Sequence, residues 1–215
     1  MLENYKTHVK ERLEQGIPPL PLNAEQVTEL VELLKSPPSG EEEYILDLIT
    51  NRIPAGVDPA AYVKAAFLTA VAKGETTSPL IDKKHATKLL GTMLGGYNVE
   101  SLIGLLEDPE VGSLAADGLS HTLLMFNAKH DVIELAETNE NAKRVVDSWS
   151  DGEWFTTKPE LPEVIKAIVF RVEGEINTDD LSPAPDAPSR PDTVSYTHLR
   201  AHETVLDLVC RLLLE

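Results

Sequence analysis

The sequence holds a single cysteine, Cys210, in 215 residues, so no disulfide framework exists within it and a reducing setting is expected. Aromatic residues make up only 5%, so a core would pack through aliphatic side chains. Basic residues are scarce: 19 Lys and Arg stand against 36 Asp and Glu, a formal net charge of −17. Such a surface repels phosphate backbones and anionic headgroups, which disfavours nucleic-acid or membrane binding by this segment. The acidic balance reads as a solubility feature of a cytosolic protein. No apolar run approaches the roughly 18 residues of a transmembrane helix. Met1 to Lys6 has no basic region leading into an apolar stretch, so no signal peptide is expected.

What is present is an ordinary globular balance, 42% hydrophobic and 26% charged, in a length suited to one or two domains. Helix signals dominate as far as Phe155. Leu2 to Glu14 carries Tyr5, Val9 and Leu13 on one stripe. Asn23 and Gln26 form a capping box that opens a helix bearing Val27, Leu30, Val31, Leu33 and Leu34, which stops before Pro37. Ser39 with Glu42 repeats the device ahead of Tyr44, Ile45, Leu48 and Ile49. Asp58 as cap with Pro59 at the first position predicts a helix to Lys73 that buries Tyr62, Ala66, Phe67, Ala70 and Val71 and ends at Gly74. Further helices are expected at 82–94, 98–107, 110–126, 131–137 and 139–149. About nine helices of roughly three turns, joined by short loops, make an all-α array. Degenerate HEAT-like repeats and a compact orthogonal bundle both fit that pattern.

After Trp154-Phe155 the character changes. Lys158 to Pro162 reads as a linker, and the β-branched run Val164 to Val172 reads as a strand ended by Gly174. Asn177 to Asp192 is a loop rich in Pro, Asp and Ser. One strand leaves unpaired backbone on both edges, so the chain is expected to stop just after entering a second domain.

Few residues up to Phe155 point to chemistry. His8, His85, His121 and His130 show no metal-ligand spacing and read as surface or capping residues. Ser120 and His121 are helix neighbours about 100° apart, which argues against a nucleophile–base pair. Gly95-Gly96 reads as a helix terminator, not a phosphate loop. The 177–192 loop is the dense segment: hydroxyls, carboxylates and Arg190 sit on a proline-stiffened scaffold. An arginine so presented suits bidentate recognition of a carboxylate, whereas Asx and Ser/Thr turns would make the loop purely structural. On the residues alone both readings stay open.

Asn177-Thr178-Asp179-Asp180-Leu181-Ser182-Pro183-Ala184-Pro185-Asp186 and Ser189-Arg190-Pro191-Asp192 resemble the loop that opens the swivelling domain of B-type aconitate hydratases. Pro37 to Glu43, Leu48 to Arg52, Leu90 to Asn98 and Leu119 to Phe126 resemble that family's HEAT-like N-terminal domain. The resemblance implies a mainly α chain: a HEAT-like domain over 1–157, a linker over 158–162, and the truncated start of an α/β swivelling domain over 163–192. It implies a parent hydro-lyase of the tricarboxylic acid cycle, cytoplasmic, that interconverts citrate and isocitrate through cis-aconitate and dehydrates 2-methylisocitrate. It further implies a [4Fe–4S] cluster whose cysteines lie downstream, with Cys210 at no ligand position, and Arg190 as a substrate-binding carboxylate clamp. No catalytic residue and no metal ligand is assigned within the chain. The fragment alone is expected to be inactive, with an architectural role and homodimerisation through the helical domain. Relatives bind RNA in their iron-free form, which the charge of −17 does not support here. Pro188 departs from the larger aromatic residue expected in relatives.

The resemblance stops at Asp192. Thr193 to Thr204 matches one reading frame of a transposase-end sequencing adapter, so residues 193–215 are expected to be a non-native tail, with His198, His202 and Cys210 outside any site. A stand-alone helical scaffold that binds another protein is the rival reading, and it would not need the strand and loop of 164–192.

Overall fold

A computed structural model describes residues 1–15, 19–54, 56–93, 95–122, 125–156 and 164. The expected linker, strand, loop and tail, Arg190 included, otherwise lie outside the described residues. The chain divides into two units, one of Met1–Pro21 with Pro159–Glu215 and one of Leu22–Lys158.

In the first unit α1 spans Leu2–Glu14. Tyr5 Oη donates to Leu20 O at 2.7 Å, and Leu20 N donates to His8 Nε2 at 3.0 Å, so the chain after α1 is tied back to it. Tyr5 is buried, but Leu13 is 62% exposed, so the expected stripe is cut short before the last turn.

Apart from one isolated bridge, the regular elements of the second unit among its described residues are helices. It holds α2 (Ala24–Lys35), α3 (Glu42–Asn51), α4 (Pro59–Ala72), α5 (Lys83–Gly91), α6 (Val99–Leu105), α7 (Gly112–Ser120), a 3-10 turn (Phe126–Ala128), α8 (Lys129–Leu135), α9 (Glu140–Asp151) and the short α10 (Glu153–Thr156). Local chemistry sets most starts. Asn23 accepts from Gln26 N at 2.9 Å while Gln26 Oε1 accepts from Asn23 N at 3.0 Å, the expected reciprocal box. Asp58 accepts from Ala60 N, Asp82 from His85 N and Asn139 from Ala142 N, each satisfying a donor with no partner inside its helix. Ser39 does not cap α3; Glu42 instead folds back so that its Oε2 accepts from Gly40 N at 2.7 Å.

Two expected boundaries move by three residues or more. The helix expected over 110–126 ends at Ser120, and a 3-10 turn follows at Phe126–Ala128. The helix expected over 82–94 ends at Gly91, where the chain turns toward Gly95 and Gly96, both at positive φ. At Gly96 (φ 84°) a Cβ would stand 2.5 Å from Gly56 O, and a parallel bridge joins these two glycines.

The core lies along a line of neighbours. α2 packs on α3 and α4, α4 on α5 and α6, α5 on α6 and α7, α6 on α7, α7 on α9, and α8 on α9. Leu30 and Leu34 of α2, Ile45 and Leu48 of α3, Leu68 of α4, Leu90 of α5 and Leu102 of α6 have almost no exposed surface. Each such side chain contributes on the order of 1.5–3 kcal/mol of burial. α5 and α7 cross at Gly91 and Gly118, where a Cβ on Gly118 would come within 2.8 Å of Gly91 Cα. α4 corrects the sequence reading most. Tyr62 and Ala66, expected inside, are exposed, while Ala61, Lys64, Ala65 and Leu68 are buried. A helix apolar on nearly all sides offers no clear stripe, so its neighbours decide which side is covered.

Candidate functional site

His8 serves as a backbone acceptor, as described above. Ser120 is buried and donates to Ala116 O at 2.9 Å, while the His121 ring meets Asp117 O at 2.8 Å. Both side chains thus serve their own helix, one turn back, in the manner expected of hydroxyls and rings near a helix end. They do not form a nucleophile–base pair. Asn98, buried, donates through Nδ2 to Leu90 O at 2.7 Å, which ties the end of α5 to the start of α6.

Among the described residues, two concave places stand close to polar side chains. The smaller, about 230 Å³, lies between α5 and α7 and is lined by Lys88, Leu114, Asp117 and His121 with Gly91 and Gly118. Asp117 there is held by Arg144, whose Nη2 donates to Asp117 Oδ1 at 2.7 Å and to Ser113 O at 2.6 Å. The ion pair is half exposed, so it orients α9 on α7 more than it stabilises the fold. The larger, about 480 Å³, lies between α4 and α6 and is lined by Tyr62, Thr69, Glu75, Tyr97, Glu100 and Ser101 among others. Sequence reasoning missed it, because it placed Tyr62 in the core.

Among the described residues, Asp108 is the carboxylate whose ionisation is pulled below its ordinary value by its surroundings. The Glu110 backbone N–H is the main cause, desolvation opposes it, and the Val111 N–H and Lys83 add to the lowering. This is a structural cap at the entry to α7, not an acid–base group. Lys143 is raised, chiefly by its hydrogen bond to Asp147 one turn on.

A [4Fe–4S] cluster requires several thiolate ligands. The whole chain has one cysteine, and among the described residues no group of three His, Cys, Asp or Glu stands close enough to hold a metal ion. The donor set of this chain does not fit a cluster. No helix among the described residues is long and apolar enough to cross a membrane.

Residues 4–155 match the family described as the aconitate B N-terminal domain, and residues 167–204 match that described as the aconitate hydratase 2 N-terminus. The chain is 65% identical over 193 residues to aconitate hydratase B of Pseudomonas aeruginosa, and 61% identical over 193 residues to that of Salmonella typhimurium. It is 47% identical over 193 residues to the Helicobacter pylori protein of the same name. In each case the match covers 89% of this chain and 22% of the relative, so the chain spans about a fifth of those proteins' length. The first match alone takes in α2 to α9 whole and α1 from residue 4 onward, and on it the chain belongs to the aconitase B family through its N-terminal domain.

Proposed function

We propose that the chain is the N-terminal part of an aconitate hydratase of the B type, and that its own role is architectural. The parent interconverts citrate and isocitrate through cis-aconitate and dehydrates 2-methylisocitrate in the cytoplasm. The observation that carries the reading is the run of identity to three proteins named aconitate hydratase B along 193 residues. The helices of 1–157 form the HEAT-like domain, which the line of neighbours from α2 to α9 supports. After a linker at 158–162, residues 163–192 begin the swivelling domain, and 193–215 are a non-native tail, into which the second family match runs as far as residue 204. Homodimerisation runs through the helical domain, and RNA is not a partner of this segment.

The cluster's ligands belong to the part of the parent that this chain does not include, consistent with its single cysteine. The chain's own contribution to substrate is Arg190, whose guanidinium clamps a tricarboxylate carboxyl through paired N–H donors. The fragment therefore has no turnover of its own.

Sequencing the gene beyond the Asp192 codon tests the reading. The frame is expected to continue into several hundred residues bearing the cluster cysteines. A stop after Glu215 overturns it and leaves a helical interaction module. In the full-length enzyme, Arg190→Ala is expected to raise KM for citrate about a hundredfold, the loss typical of truncating one side of a charged pair. An unchanged KM removes Arg190 from the substrate site.

A further inference from the structure

Seven large apolar side chains are markedly exposed among the described residues, and three of them, Val57, Tyr62 and Tyr97, belong to one neighbourhood of the Leu22–Lys158 unit. The bridge between Gly56 and Gly96 explains the grouping. It sets Val57 and Tyr97 one residue beyond the paired glycines on adjacent segments. Tyr62, from the first turn of α4, reaches Tyr97 with ring centroids 5.1 Å apart and planes at 75°. Tyr62 is 58% exposed and Tyr97 40%, although each carries enough apolar surface to favour burial.

The two rings line the groove of about 480 Å³ between α4 and α6. Ala66 and Ala70 keep it open by their small size, and Glu75 and Glu100 give it two carboxylates. Both glutamates are exposed, and neither has an ion-pair partner among the described residues. No lysine, arginine or histidine lines the groove. Edge-to-face rings leave the faces of the edge-on ring clear of its partner, and those faces attract a cation.

We propose that this groove docks an arginine side chain carried by an exposed segment of a protein partner. Two features choose arginine over lysine. A guanidinium is planar, so it stacks on a tyrosine ring, and its fork of donors meets a carboxylate at two points. Val57, 74% exposed beside the rings, extends the contact beyond one side chain, which favours a polypeptide over a small cation. The net charge of −17 steers a basic segment toward the chain over a longer range. The site uses none of the residues assigned to substrate, so it stands or falls separately from the aconitase reading.

The test uses the whole 215-residue chain labelled with 3-fluorotyrosine, whose five tyrosines give separable fluorine resonances. Tyr62→Phe and Tyr97→Phe assign the two of interest. The probe is N-acetylarginine amide, and its neutral isostere N-acetylcitrulline amide is the control, both at constant ionic strength. The arginine probe should shift the Tyr62 and Tyr97 signals saturably while the other tyrosines stay still, and the citrulline probe should not. The Glu75→Gln/Glu100→Gln double variant should weaken the arginine response about tenfold, as loss of charge-assisted pairing predicts. Equal responses to both probes, no response to either, or an unaltered affinity in the double variant would each overturn the proposal. So would movement of the two signals with protein concentration alone, which would assign the groove to a second copy of the chain.

Discussion

Asp108 shows how a single side chain fixes an element here. Its Oδ1 accepts from the Glu110 N–H at 2.8 Å and the Val111 N–H at 3.1 Å, while Oδ2 lies 3.7 Å from Lys83 Nζ. The carboxylate thus satisfies donors at the entry to α7 and draws the start of α5 toward it. Replacing it with Ala should destabilise the helical unit by about 1 kcal/mol at neutral pH, as loss of a cap does. The pH dependence follows from the lowered folded-state pKa. A depressed carboxyl contributes stability fully above its unfolded value of 3.8 and loses it as pH falls through the folded value. The gap between parent and Asp108→Ala in urea titrations should therefore close as the solution is acidified below about pH 4. A gap that persists there would mean the cap, not the charge, carries the effect. Residue-scale signals of this kind were legible where the partner is local: the Asn23 box and the Asp58 cap both follow from spacing. Tyr62 was not legible, because its exposure depends on a loop 35 residues away in sequence that brings Tyr97 beside it. Arg190 was singled out from its loop and its family resemblance, and it lies outside the described residues.

Among the elements, three glycines separate backbone conformation from packing. Gly104 sits in α6 with open space where a Cβ would go, so Gly104→Ala should stabilise the unit by about 0.5 kcal/mol through helix propensity alone. Gly118 sits in α7 with ordinary helical backbone, but its Cβ would press on Gly91 of α5 at 2.8 Å. Gly118→Ala must part the two helices, and a loss of about 1–3 kcal/mol is expected. Gly96→Ala combines a positive φ with a clash against Gly56 O, and should cost at least as much. Thermal unfolding of the three variants checks the order: Gly104→Ala above the parent, the other two below. A stabilising Gly118→Ala would mean that the α5–α7 crossing yields more easily than the distances imply. The sequence revealed these elements through their apolar spacing and caps, and all nine expected helices have counterparts in α1 to α9. It did not reveal where α5 and α7 end, because Leu, Met and Phe continue past each end and keep the periodic pattern alive. A close helix crossing depends on which glycine faces which, and nothing local in a sequence records that.

At the scale of the whole Leu22–Lys158 unit, the question is whether the helices share one core or pass stability along a line. The sequence alone separates a repeat array from its rival, a compact bundle, poorly. The packing order from α2 through α4, α5 and α7 to α9 favours the line, since α2 and α9 have no substantial contact with each other. In such an array each helix stabilises its neighbours, and a distant lesson in packing is felt only through them. Leu30 of α2 and Val145 of α9, both with no exposed surface, lie at the two ends. Leu30→Ala should cost about 3 kcal/mol by leaving a cavity. In native-state hydrogen exchange that loss should appear as faster opening of α2, α3 and α4, while α9 amides exchange as before. Val145→Ala should give the converse pattern, and the two losses should add in the double variant, because the sites share no partner. A compact bundle predicts otherwise: every helix opens with the common core, so Leu30→Ala would speed exchange in α9 as much as in α2. Uniform acceleration would therefore reject the HEAT-like arrangement of this domain while leaving its place in the aconitase B family untouched, since that rests on the match over residues 4–155.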